Sequence, residues 1–81
     1  MVRVSFTEEF KEVFFKIKDN FLKERIIKQV EKLKQNPSVG KPMKYNRKGT
    51  RELYIKPFRL SYAYFKEKNC IFILDLYHKK K

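Results

Sequence analysis

The sequence has few of the residues on which several classes of protein depend. Its one cysteine, Cys70, cannot form a disulfide within the chain, and its one histidine, His78, leaves too few ligands for a zinc site. With two glycines there is no glycine-rich phosphate loop, and nine acidic residues are too few for a divalent-metal nuclease. These shortages predict a reduced, cytoplasmic protein with no metal and no cofactor.

Long hydrophobic runs are also missing. No run approaches the roughly 18–20 apolar residues that cross a bilayer, and residues 1–6 turn polar too quickly for a signal peptide. A chain of 81 residues suits one domain, 1–81, and excludes a multi-domain enzyme. Hydrophobic residues make up 42% of it, including eight Phe and five Tyr, which is enough for a small core. We therefore expect a soluble single domain without a membrane partner.

Positive charge is abundant and unevenly distributed. The 21 Lys and Arg against 9 Asp and Glu give a net charge of +12. Residues 1–36 carry nine basic and six acidic side chains, a net +3, whereas residues 37–81 carry twelve and three, a net +9. Such a field attracts nucleic acid, an anionic membrane surface or an acidic protein segment. The alternative is that the lysines serve solubility or thermal stability.

The first half of the chain predicts a strand and two helices. Residues 2–6 alternate apolar and polar side chains, as in a short strand. Thr7 then offers a helix N-cap, and apolar residues at helical spacing predict one helix over about 8–18 and a second from Leu22 to near Asn36. The short break at Asp19 and Asn20 makes these an antiparallel pair.

The second half predicts a sheet. After a loop over 37–42 the apolar period changes to two. A weak edge strand is expected over 43–45 and stronger strands over 51–55, 58–66 and 70–77, joined by turns at 47–49, 56–57 and 67–69, with a charged end at 78–81. Turns this short make the strands antiparallel. The last strand is expected to be central and buried on both faces, with Cys70 as a core residue.

Together these elements predict an α+β fold, in which the helix pair packs on one face of a mostly antiparallel sheet of four to five strands. In strand 58–66 one face, turned to the helices, carries Phe58, Leu60, Tyr62 and Tyr64. The opposite face carries Arg59, Ser61 and Ala63. A basic side chain beside two small ones predicts a shallow, positively charged groove.

Residues 51–62, R-E-L-Y-I-K-P-F-R-L-S-Y, resemble the RelE/ParE toxin superfamily. Its members carry a strand close to R-E-L-R-I, a turn, and then Y-R-aliphatic-x-Y. Chain length and element order fit as well, so the likeness covers essentially the whole chain. The resemblance implies a RelE-like fold and a type II toxin that is inhibited by an antitoxin with a short, acidic, amphipathic C-terminal segment. The best-known branch cleaves mRNA in the ribosomal A site without a metal or cofactor.

The resemblance also implies which positions correspond to conserved-looking residues of the family's motifs. Arg59 matches the arginine that contacts the scissile phosphate in RelE-like toxins. Lys79, after His78, matches the basic residue of the terminal H-R or K-R pattern. Arg51 and Glu52 match the R-E pair of the HigB-like branch.

The chain departs from the RelE-like pattern in two places. Where those toxins often have two basic residues on the strand before the Y-R motif, this chain has Glu52 and Tyr54. The sequence also has no residue after Lys81, where many RelE-like enzymes place a catalytic tyrosine. Tyr54 or Tyr77 is a candidate replacement.

RNA cleavage by its own 2′-OH needs a proton acceptor, a group that stabilises the dianionic phosphorane, and a proton donor for the 5′-oxygen. Guanidinium groups suit the second role, and histidine or tyrosine suits proton transfer. The candidate catalytic residues are therefore Arg59, Arg51, Lys79, His78, Tyr54 and Tyr77. The alternatives are that Arg59 pairs with Glu52 or Glu67 and that Arg51 forms a salt bridge. His78 is alternatively a phosphate-binding or merely solvated residue, and the tyrosines alternatively stack on bases or pack in the core.

A further set of basic residues is expected to hold the RNA backbone, or else to form a solvated charged edge. They are Lys41, Lys44, Arg47, Lys48, Lys56, Lys80 and Lys81. Three hypotheses follow. The first is a ribosome-dependent mRNA endoribonuclease, with mRNA, the ribosomal A site and a cognate antitoxin as partners. The second is a ParE-like gyrase inhibitor without nuclease activity, and the third is an inactive antitoxin-binding module.

Overall fold

Strand, helix, helix and then strands follow one another in the order that the hydrophobic periods predict. The computed structural model describes residues 2–42 and 50–78. Its elements are β1 (Arg3–Phe6), α1 (Glu8–Lys16), α2 (Asn20–Gln35), β2 (Lys41–Pro42), β3 (Thr50–Ile55), β4 (Phe58–Phe65) and β5 (Cys70–His78). A single 3-10 turn, Lys66–Lys68, joins β4 to β5. In the described part of the chain no helix has both the length and the apolar character needed to cross a membrane.

Side-chain caps set where the helices begin. The Thr7 hydroxyl accepts a hydrogen bond from the backbone N–H of Phe10 at 3.2 Å, as predicted for an N-cap. The Asp19 carboxylate accepts from the N–H groups of Phe21 and Leu22. Asp19 therefore starts α2 rather than only interrupting the pattern, so α2 begins two residues earlier than predicted. Helix α1 ends at Lys16, two residues before the predicted end.

The five strands form one sheet in the order β1-β5-β4-β3-β2. Strand β1 is parallel to β5, and the other pairs are antiparallel. The two helices pack on this mixed sheet, so the predicted α+β class is confirmed. The expectation for β5 was right in one respect and wrong in the other. It lies between β1 and β4 and is therefore an interior strand, but the 39% exposure of Phe72 shows that its two faces are not both buried.

The edge strand β2 corrects a second prediction. Lys41 pairs with Glu52 and Pro42 with Arg51, in a segment that was expected to be loop. The weak strand predicted over 43–45 and the turn over 47–49 lie outside the described residues. Cys70 is half-buried and is not part of the core cluster, which also differs from the prediction.

The core lies between the helices and one face of the sheet. The predicted assignment of β4 is confirmed: Leu60 and Tyr62 are completely buried, and Phe58 and Tyr64 pack against the same cluster. The other members are supplied by both helices and by β3 and β5: Phe10, Leu22, Ile26, Val30, Leu33, Ile55, Ile71, Ile73 and Leu76.

One buried polar contact fixes the chain before β2. The Tyr62 hydroxyl donates to the Pro37 carbonyl at 2.8 Å and accepts from the Gly40 N–H at 2.9 Å. Gly40 allows this approach because a Cβ there would lie 2.5 Å from the hydroxyl oxygen. Arg51 adds two hydrogen bonds, to the carbonyls of Ser38 and Gly40. We call this set of contacts the loop latch.

The sheet surface turned away from the helices is here called the open face. Along β4 it carries Arg59, Ser61, Ala63 and Phe65. Ser61 and Ala63 are only 7% and 6% exposed, so these two small side chains are shielded from solvent. The predicted shallow groove beside two small residues is therefore not what the structure has at these positions.

Candidate functional site

Arg59 lies in the middle of the open face. It pairs opposite Tyr54 on β3 and opposite Tyr77 on β5. Directly opposed residues have Cβ atoms about 4.5–5.5 Å apart, so the three side chains form a row across the sheet with the arginine between two tyrosines. Two of the predicted proton-transfer residues are thereby brought to the predicted phosphate ligand.

A register shift in β5 decides which residue completes this row. Ser61 pairs with Asp75 but Tyr62 pairs with Ile73, so Leu74 is an extra residue, a β-bulge. Beyond a one-residue bulge the alternation of faces is reversed. Tyr77 consequently lies on the open face beside Arg59, and His78, which pairs with Phe58, lies on the helix side.

Glu52 ties the arginine and one tyrosine together. Its carboxylate forms an ion pair with the Arg59 guanidinium, and its Oε2 accepts a hydrogen bond from the Tyr77 hydroxyl at 3.0 Å. The side chains of Arg59 and Glu52 are 37% and 18% exposed. This Glu52–Arg59–Tyr77 cluster is within reach of a ligand, but the charge of the guanidinium is already balanced by the carboxylate.

The cluster raises the pKa of the Tyr77 phenol. Burial is the largest cause, followed by the hydrogen bond to the Glu52 carboxylate and the negative charge of that group, while the charge of Arg59 acts in the opposite direction. The phenol therefore holds its proton at neutral pH.

A groove of about 620 Å³ runs beside the cluster. One wall is the segment 38–42, which the loop latch holds in place, and the other includes Glu52, Tyr54 and Arg59. The exposed Lys41 pairs opposite Glu52 at this edge of the sheet. The groove thus combines positive and negative side chains with an exposed tyrosine.

Two predicted catalytic residues lie elsewhere. Arg51 pairs with Tyr62 and donates to the carbonyls of Ser38 and Gly40, so the structure gives it a place in the loop latch. The His78 ring lies 4.7 Å from that of Phe58, on the helix side of the sheet. Neither residue joins the Glu52–Arg59–Tyr77 cluster.

The predicted backbone-binding lysines are partly described. Lys41 is exposed at the groove, and Lys56 is exposed in the β3–β4 turn, where its carbonyl accepts a hydrogen bond from Arg25. The remaining basic candidates lie outside residues 2–42 and 50–78 and stay predictions: Lys44, Arg47, Lys48, Lys79, Lys80 and Lys81. Among the described residues no group of three or more His, Cys, Asp or Glu is placed to hold a metal ion.

Glu52 is the site residue that sequence reasoning missed as a participant. Its ion pair with Arg59 was considered only as an alternative to function. The signal lay in the tight turn at 56–57, which pairs Ile55 with Phe58 and so fixes the hairpin register. That register places Glu52 opposite Ser61, on the same face as Arg59 and diagonal to it.

The family model described as the ParE toxin of type II toxin–antitoxin systems matches residues 4–81. The chain belongs to this family. Within the RelE/ParE toxin superfamily, it is therefore a type II toxin, as the resemblance at residues 51–62 implied. No curated protein sequence matches it.

Solved structures with the same fold include several toxins. One, from the E. coli RelBE toxin–antitoxin complex, shares 14% identity over 100% of both chains with a TM-score of 0.84. Another, from the RelBE2 complex of Mycobacterium tuberculosis, shares 24% identity over 96% of this chain and 98% of that one, at 0.83. The YoeB/ParE toxin of Agrobacterium tumefaciens shares 15% over 95% and 98%, at 0.82. These similarities establish the RelE-like fold.

Proposed function

We propose that this toxin is a metal-independent endoribonuclease that cleaves ribosome-bound mRNA by attack of a 2′-OH on the adjacent phosphorus. The observation that carries the proposal is the contact between a guanidinium, a carboxylate and a phenol on an accessible sheet face. The guanidinium suits charge stabilisation and the carboxylate suits proton removal, while the phenol of Tyr77 orients the carboxylate; Tyr54, which pairs opposite Arg59, is left for proton donation.

Arg59 binds the scissile phosphate in this proposal. A guanidinium remains charged at all relevant pH values and grips a phosphate through two parallel N–H donors. The phosphate takes the place that the Glu52 carboxylate has in the free protein. Because negative charge grows on the phosphoryl oxygens in the transition state, the same contact strengthens as the reaction proceeds.

Glu52, released from the guanidinium, accepts the 2′-OH proton. The 2′-oxygen then bonds to phosphorus, the bond from phosphorus to the 5′-oxygen breaks, and a 2′,3′-cyclic phosphate results. In-line displacement requires the proton donor to lie on the opposite side of phosphorus from the base. Tyr77 is hydrogen-bonded to Glu52, so it lies on the same side as the base and orients it. We therefore assign to Tyr54 the donation of a proton to the 5′-oxygen.

Charge and family support the choice of substrate and partner. A net charge of +12 favours association with an RNA-rich particle, which is consistent with mRNA in the ribosomal A site as the substrate. Two of the three solved structures compared above come from toxin–antitoxin complexes. We propose that a cognate antitoxin with an acidic, amphipathic C-terminal segment neutralises this chain in the same cytoplasm.

The test is induction of wild type, Arg59→Ala and Glu52→Gln in growing cells, with primer extension on a reporter mRNA. We expect wild type to arrest growth and to produce cleavage within codons, and each variant to reduce cleavage by about 100-fold or more. Lys28→Ala, which removes one charge from an exposed site on α2, is the matched control and should cleave like wild type. Full cleavage by Arg59→Ala would refute the assignment.

A second candidate function is inhibition of gyrase without RNA cleavage. The observation that favours it is the ion pair itself, since the carboxylate of Glu52 neutralises the arginine that would otherwise bind phosphate. Adding purified toxin to gyrase and relaxed plasmid measures supercoiling directly. Loss of supercoiling together with intact mRNA after induction would support this function over the nuclease.

A further inference from the structure

Two exposed phenylalanines stand side by side at the far end of the open face. Phe65 on β4 and Phe72 on β5 are 46% and 39% exposed. Their ring centroids are 5.7 Å apart and the rings meet edge to face at 89°. Phe72 pairs with Ala63 and Phe65 pairs with Cys70, so both rings lie on the same sheet surface as Arg59.

Packing within the chain does not account for this pair. A cross-strand aromatic contact contributes only modestly to a hairpin, and it does not require both rings to remain in water. Leaving that much aromatic surface exposed costs the stability that burial would provide. Aromatic rings exposed on an open sheet are suited to stacking with nucleobases, whose flat faces are also apolar.

Basic side chains surround the two rings. Arg3, on β1, pairs with Cys70, which is the partner of Phe65, so the arginine lies on the same surface one strand further along. Lys66 and Lys68 follow Phe65 directly in the turn, with Glu67 between them. The charge around the aromatic pair is therefore net positive, which suits a phosphodiester backbone and opposes an approach by a second copy of this cationic chain.

The aromatic pair is also continuous with the proposed catalytic cluster. Ala63, the partner of Phe72, is four residues along β4 from Arg59, or about 13 Å at the usual rise of a strand. Single-stranded nucleic acids commonly occupy sites of about four or more nucleotides. One short oligonucleotide can therefore reach both places.

We propose that Phe65 and Phe72 form a base-stacking site for single-stranded RNA, which holds nucleobases of the strand whose phosphate lies at Arg59. The inference rests on the proposed function, because it extends the substrate path from that phosphate. Stacking on an aromatic ring is possible for every base, so the site adds affinity and holds the strand in place without selecting a sequence.

The experiment separates stacking from charge. A fluorescein-labelled hexaribonucleotide, 2′-O-methylated throughout so that it cannot be cleaved, is titrated with purified toxin, and its anisotropy is followed at several salt concentrations. We expect Phe65→Leu/Phe72→Leu, which keeps apolar bulk but removes both rings, to weaken binding about tenfold or more with an unchanged salt slope. Phe15→Leu/Phe21→Leu, at the exposed helix positions, is the matched control and should bind like wild type.

A second oligonucleotide of the same length and charge, with abasic sugars in place of its nucleotides, completes a double-mutant cycle. If the rings stack on bases, this oligonucleotide binds wild type weakly, and the Leu substitutions weaken its binding no further. Equal losses on both oligonucleotides would overturn the proposal, as would unchanged RNA binding with weakened binding of the antitoxin. Because binding is read without cleavage, loss of stacking and loss of nuclease function are distinguished by measuring Arg59→Ala in parallel.

Discussion

The two faces of the sheet have opposite chemistry although their residues alternate along the same strands. On the helix side Leu60 and Tyr62 are completely buried, and the one hydroxyl among them has both a donor and an acceptor as partners. On the open face, one residue away, Arg59 is held by an ion pair that solvent can reach. The comparison teaches that strand alternation lets a chain of 81 residues place its core on one face and the proposed functional residues on the other.

The largest expected effect tests this separation by a substitution in the core. Leu60→Ala removes a completely buried side chain and leaves a cavity, so we expect the free energy of unfolding to fall by about 2–5 kcal/mol. Denaturant unfolding followed by circular dichroism measures it. Arg59→Ala, at the adjacent position, is the control and should cost at most about 1 kcal/mol. Similar losses from both substitutions would show that the two faces are not separate.

The next effect tests the loop latch at the boundary between the faces. Tyr62→Phe leaves the ring in place but removes the hydroxyl that meets the Pro37 carbonyl and the Gly40 N–H. A buried N–H without an acceptor costs about 1–3 kcal/mol, so we expect a loss in that range. Because the latch also holds one wall of the groove beside Arg59, the proposed RNA cleavage should fall as well.

Thermal unfolding and primer extension on the same variant check the two expectations. Tyr64→Phe is the control, since the Tyr64 ring packs against the same core but its hydroxyl forms no hydrogen bond with another residue in the described part of the chain. If Tyr62→Phe proved as stable as Tyr64→Phe, the latch would contribute nothing to the fold.

Local pattern was sufficient to predict most of the fold. The apolar spacing in α2 and the alternation in β4 each determine one buried face, so they predict the burial of Leu22 and of Leu60 that the structure shows. Strand β2 was missed because two residues, one of them proline, carry no period. Pairing of Lys41 with Glu52 depends on the loop latch, which is made by residues far apart in the sequence.

The site was harder to predict because it depends on a bulge. A β5 that continued regularly from Ile73 would pair Leu76 with Arg59, turn Tyr77 towards the helices and leave His78 on the open face beyond Arg59. The extra residue at Leu74 reverses the faces of Tyr77 and His78, and nothing in the run of apolar residues from Cys70 to Leu74 indicates where a bulge occurs. The position of Arg59 followed from β4 alone and was predictable, whereas its neighbours from β5 were not.

The smallest expected effect concerns the ionisation of Tyr77 on the open face. Burial and Glu52 raise the pKa of Tyr77 above the ordinary 10.0, so the folded protein keeps this proton at a pH where the unfolded chain loses it. The resulting stabilisation is fully present below pH 10.0 and is lost as the pH rises through the folded-state pKa.

Tyr77→Phe removes this ionisation. We therefore expect the free energy of unfolding of wild type to fall more steeply above pH 10.0 than that of the variant, while the two curves run parallel below it. Urea titrations at intervals from pH 8 to 11 measure the difference, with Tyr64→Phe as the control. In Glu52→Gln the free energy of unfolding should fall less steeply above pH 10.0 than in wild type, because the variant lacks the carboxylate charge that opposes phenolate formation. Parallel curves for wild type and Tyr77→Phe throughout would mean that burial and Glu52 together do not raise the pKa of Tyr77 in solution.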